Sequence, residues 1–298
     1  MANPVLTRPD AFAPAQTPQT YGPTGPYTQT DPYAQQPYAQ TDPYAQQAYA
    51  QTGPYAQQPY GQPAPVQPDA RDRMTLDDVL TKTAVILGAV VVVAVLTWRF
   101  LGDNMPVLLS AGTICGLAAF IFPLVGAFRR SIGPVFSLIY GVIEGVFLGA
   151  ISGLFEMYFP GIVFQAVVAT LIAAAVTLAA FHFGKVRLTP KIQKILLISL
   201  ISYAAVALVN FVLSLAGIDL GLISSIGASG KVGLLAWGFA LLGVVLAVVS
   251  LVDDFQHIEE GIRQGAPAKA SWVAAYGLSV TMVFLYIQLL RILSYLRR

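Results

Sequence analysis

A single carboxylate, that of Glu144, lies in the middle of a hydrophobic run long enough to cross a lipid bilayer. A charged side chain at the centre of a membrane-spanning helix costs about 2.5–3.5 kcal/mol on insertion scales. Such a residue is normally kept only where it faces a protein interior or a water-filled path. The position therefore predicts either a proton or cation site or a structural hydrogen bond to a neighbouring helix.

Four glycines recur at every fourth position around Glu144, namely Gly141, Gly145, Gly149 and Gly153. On a helix they form a stripe of small residues, which lets two helix backbones approach closely in lipid. Glu144 lies within about 60–100° of this stripe around the helix axis. We therefore predict that the stripe packs against another helix and that the carboxylate points into the bundle.

The segment that follows the sixth hydrophobic run contains four acidic residues and a histidine. His257 lies one helical turn after Asp253, and such a pair can titrate within the physiological pH range. Carboxylate oxygens near a membrane exit are also suitable ligands for Ca²⁺. The pattern predicts a pH-responsive or cation-attracting site at Asp253 and Asp254, whereas Glu259 and Glu260 are typical of a solvated helix end.

The composition defines the class of protein. Hydrophobic residues make up 56% of the chain and charged residues 11%, against about 25% charged residues in soluble domains. This deficit indicates an integral membrane protein in contact with the lipid bilayer. The net charge of +2 argues against a nucleic-acid partner. Because nucleotide-binding loops, zinc-protease motifs and serine nucleophile elbows are absent from the sequence, we expect neither an enzyme nor a bound cofactor.

Seven apolar runs of spanning length follow residue 82. They are Thr83–Leu101, Pro106–Phe128, Val135–Phe155, Ile162–Phe183, Ile195–Ala216, Val232–Val252 and Ser271–Leu290. Proline and glycine separate most of them, and the alternating pattern of a β-barrel is absent. We predict an all-α integral membrane domain over residues 73–298, built as a seven-transmembrane-helix bundle.

Residues 1–72 differ sharply from the rest of the chain. They are rich in Pro, Gln and Tyr, and an eleven-residue unit at Asp31–Thr41 recurs at Asp42–Thr52. The prolines forbid a continuous helix, and the aliphatic content is too low to build a core. We predict a disordered tail, which is either a solvated segment or a docking segment for a protein partner.

Lys and Arg residues predict the orientation in the membrane. From Arg71 onward, eleven of them lie on the side of the N-terminus and five on the opposite side. Since short cytoplasmic loops carry an excess of positive charge, we expect a cytoplasmic N-terminus. With seven spans, the C-terminus would lie outside, whereas a re-entrant seventh span would put both termini inside.

Three motifs together carry a family resemblance. They are Tyr140-Gly-Val-Ile-Glu-Gly-Val-Phe-Leu-Gly149, Asp253-Asp-Phe-Gln-His-Ile258 and Phe284-Leu-Tyr-Ile-Gln-Leu-Leu-Arg291. With them the chain resembles the Bax-inhibitor (transmembrane Bax-inhibitor-motif) family in a bacterial form, over residues 74–296. The resemblance implies a seven-helix fold with the last helix enclosed by the others. It also implies a proton-sensitive Ca²⁺ leak controlled by an acidic pair that bridges the sixth and seventh helices.

One position departs from the pattern that the resemblance implies. Asp254 matches the sixth-helix member of the acidic pair, but Thr281 stands where the second aspartate is expected. Asp253 is adjacent to Asp254 and is the nearest substitute for the missing aspartate, but its side chain projects about 100° away from that of Asp254 on a helix. The acidic pair therefore cannot form here in its usual shape.

The leading expectation is a pH-sensitive passive leak for Ca²⁺ or another cation in a bacterial plasma membrane. In this hypothesis Glu144 is the mid-membrane site for the cation or proton, and Asp254 is the cytoplasmic gate carboxylate. The alternative is a non-conducting membrane regulator that binds a membrane protease or a stress-response partner, to which the tail in residues 1–72 would contribute.

Overall fold

The computed structural model describes residues 73–129, 131–184, 186–218, 220–221 and 232–298. These residues form seven helices, each long and apolar enough to span a membrane: α1 (Leu76–Leu101), α2 (Met105–Phe128), α3 (Pro134–Tyr158), α4 (Ile162–Gly184), α5 (Pro190–Leu215), α6 (Leu234–Arg263) and α7 (Ala270–Leu296). The predicted all-α seven-helix bundle is confirmed. The tail predicted for residues 1–72 lies outside the described residues.

Local capping signals set where several helices begin. Thr75 accepts a hydrogen bond from the backbone N–H of Asp78, and Thr189 accepts one from Ile192. These bonds satisfy N–H groups that have no partner in the first turn, and Pro190, which follows Thr189, lacks such a group altogether. As a result α1 and α5 begin several residues before the apolar runs that predicted them.

The helices alternate in direction, so the bundle has two ends. We call the end where α1, α3, α5 and α7 begin the N-side, and the end where they finish the C-side. On the N-side, the backbone N–H of Met74 donates to the carbonyl of Ala266, 2.8 Å away, which joins the start of α1 to the α6–α7 loop. On the C-side, Arg297 donates to the carbonyl of Pro160, 2.7 Å away.

The last helix is the most enclosed. Of the spanning window of α7, 67% is buried, followed by 56% for α3, whereas the windows of α1, α2, α4 and α5 are each 22% buried. The helices α1, α4 and α6 pack against α7. The exposed surface of the outer helices carries many large apolar side chains. This surface is suited to lipid, so the bundle belongs in a bilayer.

Candidate functional site

The glycine stripe of α3 packs against α1, which runs parallel to it. The four glycines Gly141, Gly145, Gly149 and Gly153 all face residues of α1. A β-carbon added at Gly145 would lie 2.8 Å from the carbonyl oxygen of Val90, and one at Gly149 would lie 2.5 Å from that of Ala94. Both distances are too short for any side chain, so these two glycines permit a backbone contact that other residues would prevent.

Glu144 lies on a different face of α3. Its side chain is 4% exposed and lines a cleft of about 330 Å³ whose walls come from α2, α3, α5 and α7. Among the described residues, its carboxylate accepts no hydrogen bond and belongs to no ion pair. The structural hydrogen bond considered from the sequence therefore has no partner in this part of the chain.

Thr281 lines the same cleft from α7. It is 4% exposed, and it lies eleven residues from the start of its helix, as Glu144 lies ten residues from the start of α3. The two side chains are thus at similar depth on neighbouring walls. The mid-membrane carboxylate and the hydroxyl that occupies the place expected for an aspartate thus line one cleft.

The cleft opens sideways. Its flanks are α2, with Gly116 and Phe120, and α5, with Ala204 and Ala207. The described parts of α2 and α5 do not pack closely along each other. A gap between two membrane-spanning helices faces the lipid, so the cleft is accessible from the bilayer.

A polar group lies at the C-side part of the cleft. The hydroxyl of Tyr203 donates to Gln288 Oε1 at 3.0 Å, and Arg291 Nη1 donates to the Tyr203 oxygen at 3.3 Å. Gly243 of α6 makes room for this arrangement, because a β-carbon there would lie 2.5 Å from the Tyr203 oxygen. The sequence did not identify Arg291 as a cleft residue. The signal that could have found it is a helical stripe: Gln288 lies one turn before Arg291 and on the same face of the helix as Thr281.

Aromatic rings fill the space on the N-side of Glu144. Tyr140, one turn before Glu144, packs edge-on against Tyr276 with ring centroids 5.0 Å apart. Phe136 continues the cluster at 5.6 Å from Tyr276, and Phe122 stacks on Phe136 at 4.5 Å. Of these rings, that of Tyr140 lines the cleft, and the others pack behind it.

Asp253 and Asp254 do not line this cleft. Both are fully buried in α6, which continues past the predicted end of its span to Arg263. Asp253 Oδ1 accepts a hydrogen bond from Gln193 Nε2 at 2.8 Å, and His257 Nδ1 lies 3.5 Å from the same oxygen. The structure thus brings Asp253 and His257 together, at a site separate from that of Glu144.

The α4–α5 loop is fastened to the N-side end of α6. Gln256 accepts from the backbone N–H of Leu188 and donates to its carbonyl. Arg187 pairs with Glu259 at 2.8 Å, and this interaction raises the pKa of the Arg187 guanidinium. Glu259 and Glu260 are both partly exposed, so these two residues contact water at the end of the helix.

This fold and this site define a multi-pass α-helical membrane protein with a buried carboxylate in a lipid-facing cleft. The family model described as Bax inhibitor 1 like matches residues 3–298. The chain belongs to this Bax inhibitor 1 like family. The match is wider than the segment 74–296 that carried the motifs, and it includes nearly all of the repeat tail. The comparison with curated proteins gives no match.

Proposed function

We propose that this protein is a pH-sensitive passive cation leak of a bacterial plasma membrane, with Ca²⁺ as the main permeant ion. The observation that carries the proposal is Glu144, a carboxylate at mid-depth that lines a cleft without an ion-pair partner in the described chain. Ionisable residues inside spanning helices typically mark paths for ions or protons. The role we infer is ion passage and not catalysis.

Two oxygen-bearing side chains would meet a cation in the cleft. The Glu144 carboxylate supplies charge, and the Thr281 hydroxyl supplies a neutral oxygen, and both are ligand types that Ca²⁺ accepts. Conduction needs binding that is weak enough to release the ion. Because Thr281 replaces the expected aspartate, Glu144 would be the main titratable group in the cleft, and its protonation would remove the charge that attracts the cation.

Passage to the N-side would require movement of the aromatic cluster. Tyr140 and Tyr276 fill the space next to Glu144, so a hydrated ion could pass only after these rings separate. Asp253 and Asp254 would then attract the cation from the N-side part of α6. Following the excess of Lys and Arg, we propose that the N-side faces the cytoplasm.

Calcium uptake into reconstituted vesicles, measured across pH, tests the proposal. We expect Glu144→Gln to abolish the pH response, because the amide cannot titrate. Asp254→Asn should lower the flux. Glu156→Gln is the matched control on α3, since Glu156 accepts hydrogen bonds from the backbone N–H groups of Gly161 and Val163 near the start of α4. Unchanged flux and pH response in both Glu144→Gln and Asp254→Asn would refute the proposal.

The second candidate is a non-conducting regulator that binds a protein partner. The observation in its favour is that the family match begins at residue 3 and so includes the repeat tail. Affinity capture with the full chain and with a chain lacking residues 1–72 distinguishes the two candidates. Tail-dependent capture of a stoichiometric partner, together with an absence of calcium flux, would support the regulator.

A further inference from the structure

The cleft combines an apolar wall with one positively charged side chain, that of Arg291. Most of its lining is aliphatic or aromatic, including Phe120 of α2, Ala207 of α5 and Phe284 of α7. Arg291 of α7 lies at its C-side part. An apolar groove with a single positive group near one end matches an amphiphile that has a hydrocarbon chain and an anionic head.

Arg291 has no acidic partner among the described residues. Its guanidinium donates to the Tyr203 hydroxyl, but no carboxylate of the described chain lies within 4 Å of it. The residue stands five positions before the end of α7 at Leu296, which is about 7.5 Å along the axis. A guanidinium in a spanning helix either reaches the interface or pairs with another group, and carboxylates and phosphates are its strongest partners.

The dimensions of the cleft favour one hydrocarbon chain. Its volume of about 330 Å³ lies at the lower end of the roughly 300–1,000 Å³ typical of ligand sites. Ten residues separate Thr281 from Arg291, so the cleft extends for about 15 Å along α7. The carboxylate that lines the cleft, that of Glu144, lies at the opposite end and would repel an anionic head there. The head of a bound amphiphile therefore belongs at Arg291.

We propose that the cleft binds a long-chain fatty acid, with its carboxylate on Arg291 and its chain running between α2 and α5 towards Glu144. The ligand reaches the site from the bilayer through the gap between α2 and α5. The site depends only on the shape and charge of the cleft, and so it does not rest on the proposed cation leak.

Photolabelling tests this site directly. The probe is palmitate with a diazirine in its chain, added to the full-length protein in phosphatidylcholine nanodiscs, and labelled residues are mapped by mass spectrometry. We expect label on cleft residues of α2, α5 and α7, removed by excess palmitate but not by hexadecanol, which has no charge. Arg291→Gln should reduce labelling about tenfold, because a charge-assisted hydrogen bond is lost.

Two matched controls separate the site from general lipid contact. Arg297→Gln removes another C-side arginine, one that bonds to Pro160 and Gln165, and should leave labelling unchanged. Ala207→Phe fills the cleft and should abolish labelling, whereas Val209→Phe, at an exposed position of the same helix, should not. Comparing Ala207→Phe with Val209→Phe tests binding in the cleft even if Arg291→Gln fails to fold.

Three outcomes would overturn the proposal. The first is label spread evenly over exposed positions of α1 and α4. The second is equal labelling in the wild type and in both Arg291→Gln and Ala207→Phe. The third is competition by phosphatidylglycerol but not by palmitate, which would identify a two-chain phospholipid as the occupant.

Discussion

The two faces of α3 differ in how closely neighbouring helices approach. On one face, the glycines bring the backbone of α1 so near that a β-carbon at Gly149 would lie 2.5 Å from the carbonyl oxygen of Ala94. On the other face, Glu144 borders a cleft of about 330 Å³ between α2 and α5. One helix therefore joins a tightly packed pair to an open volume.

This difference has a physical basis. In lipid there is little hydrophobic drive for helices to associate, so close van der Waals contact between small residues supplies much of the stability. The contacts of α3 with α1 and α2 hold the helix in place, so the face that carries Glu144 does not need a close helix contact of its own. Glu144 can then face a cleft without loss of the helix that supports it.

The tightly packed face should respond most strongly to an added methyl group. We expect Gly149→Ala to lower the free energy of unfolding by about 1–3 kcal/mol, because the β-carbon must displace the backbone of α1. Gly88→Ala is the control, since nothing lies within 4 Å of a β-carbon there, and it should be neutral or stabilising by up to about 1 kcal/mol. Thermal unfolding in detergent measures both, and equal losses would contradict the close contact.

The polar group at the C-side of the cleft should show an intermediate effect. Gly243→Ala would put a β-carbon 2.5 Å from the Tyr203 oxygen and 2.6 Å from Gln288 Oε1. Since these are side-chain ends that can shift, we expect a loss of about 1 kcal/mol, comparable to one hydrogen bond. Gly238→Ala, at an open position of α6, should cause no loss in the same unfolding measurement. A cost as large as that of Gly149→Ala would mean that this group is as rigid as the α1 contact.

The cleft wall should tolerate added volume. Ala207→Leu projects into the cleft, and we expect the free energy of unfolding to change by no more than about 0.5 kcal/mol. Chemical denaturation of this variant beside Gly149→Ala gives the comparison within one experiment. A loss similar to that of Gly149→Ala would show that the cleft is a packed seam and would remove the contrast between the two faces of α3.

The sequence predicted the seven spans well, because runs of about twenty apolar residues have few alternatives. It did not predict the ends of all the helices. Hydropathy falls after Val252, yet α6 continues to Arg263. Two of its polar side chains are held by hydrogen bonds there: Asp253 Oδ1 accepts from Gln193, and Gln256 bonds to the backbone of Leu188.

The site was harder to predict than the fold. A glycine stripe indicates that a helix approaches closely, but it does not say which one, and the structure identifies α1. The cleft arises because α2 and α5 do not pack closely, and a missing contact leaves no periodic pattern in either helix. In the sequence Arg291 is the last residue of a motif near the end of the seventh span, and only the tertiary structure shows that it lines the same cleft as Glu144.

Cadmium block of an engineered cysteine decides whether the cleft is the path of the ion. In a Cys115→Ser background, Thr281→Cys puts a thiol in the cleft, and Ser279→Cys puts one at a buried position of α7 outside it. Thiolates bind soft metal ions, so Cd²⁺ should block calcium flux through vesicles that contain Thr281→Cys and leave Ser279→Cys unaffected. Calcium flux through Thr281→Cys that continues undiminished in Cd²⁺ would show that the ion does not pass through the cleft.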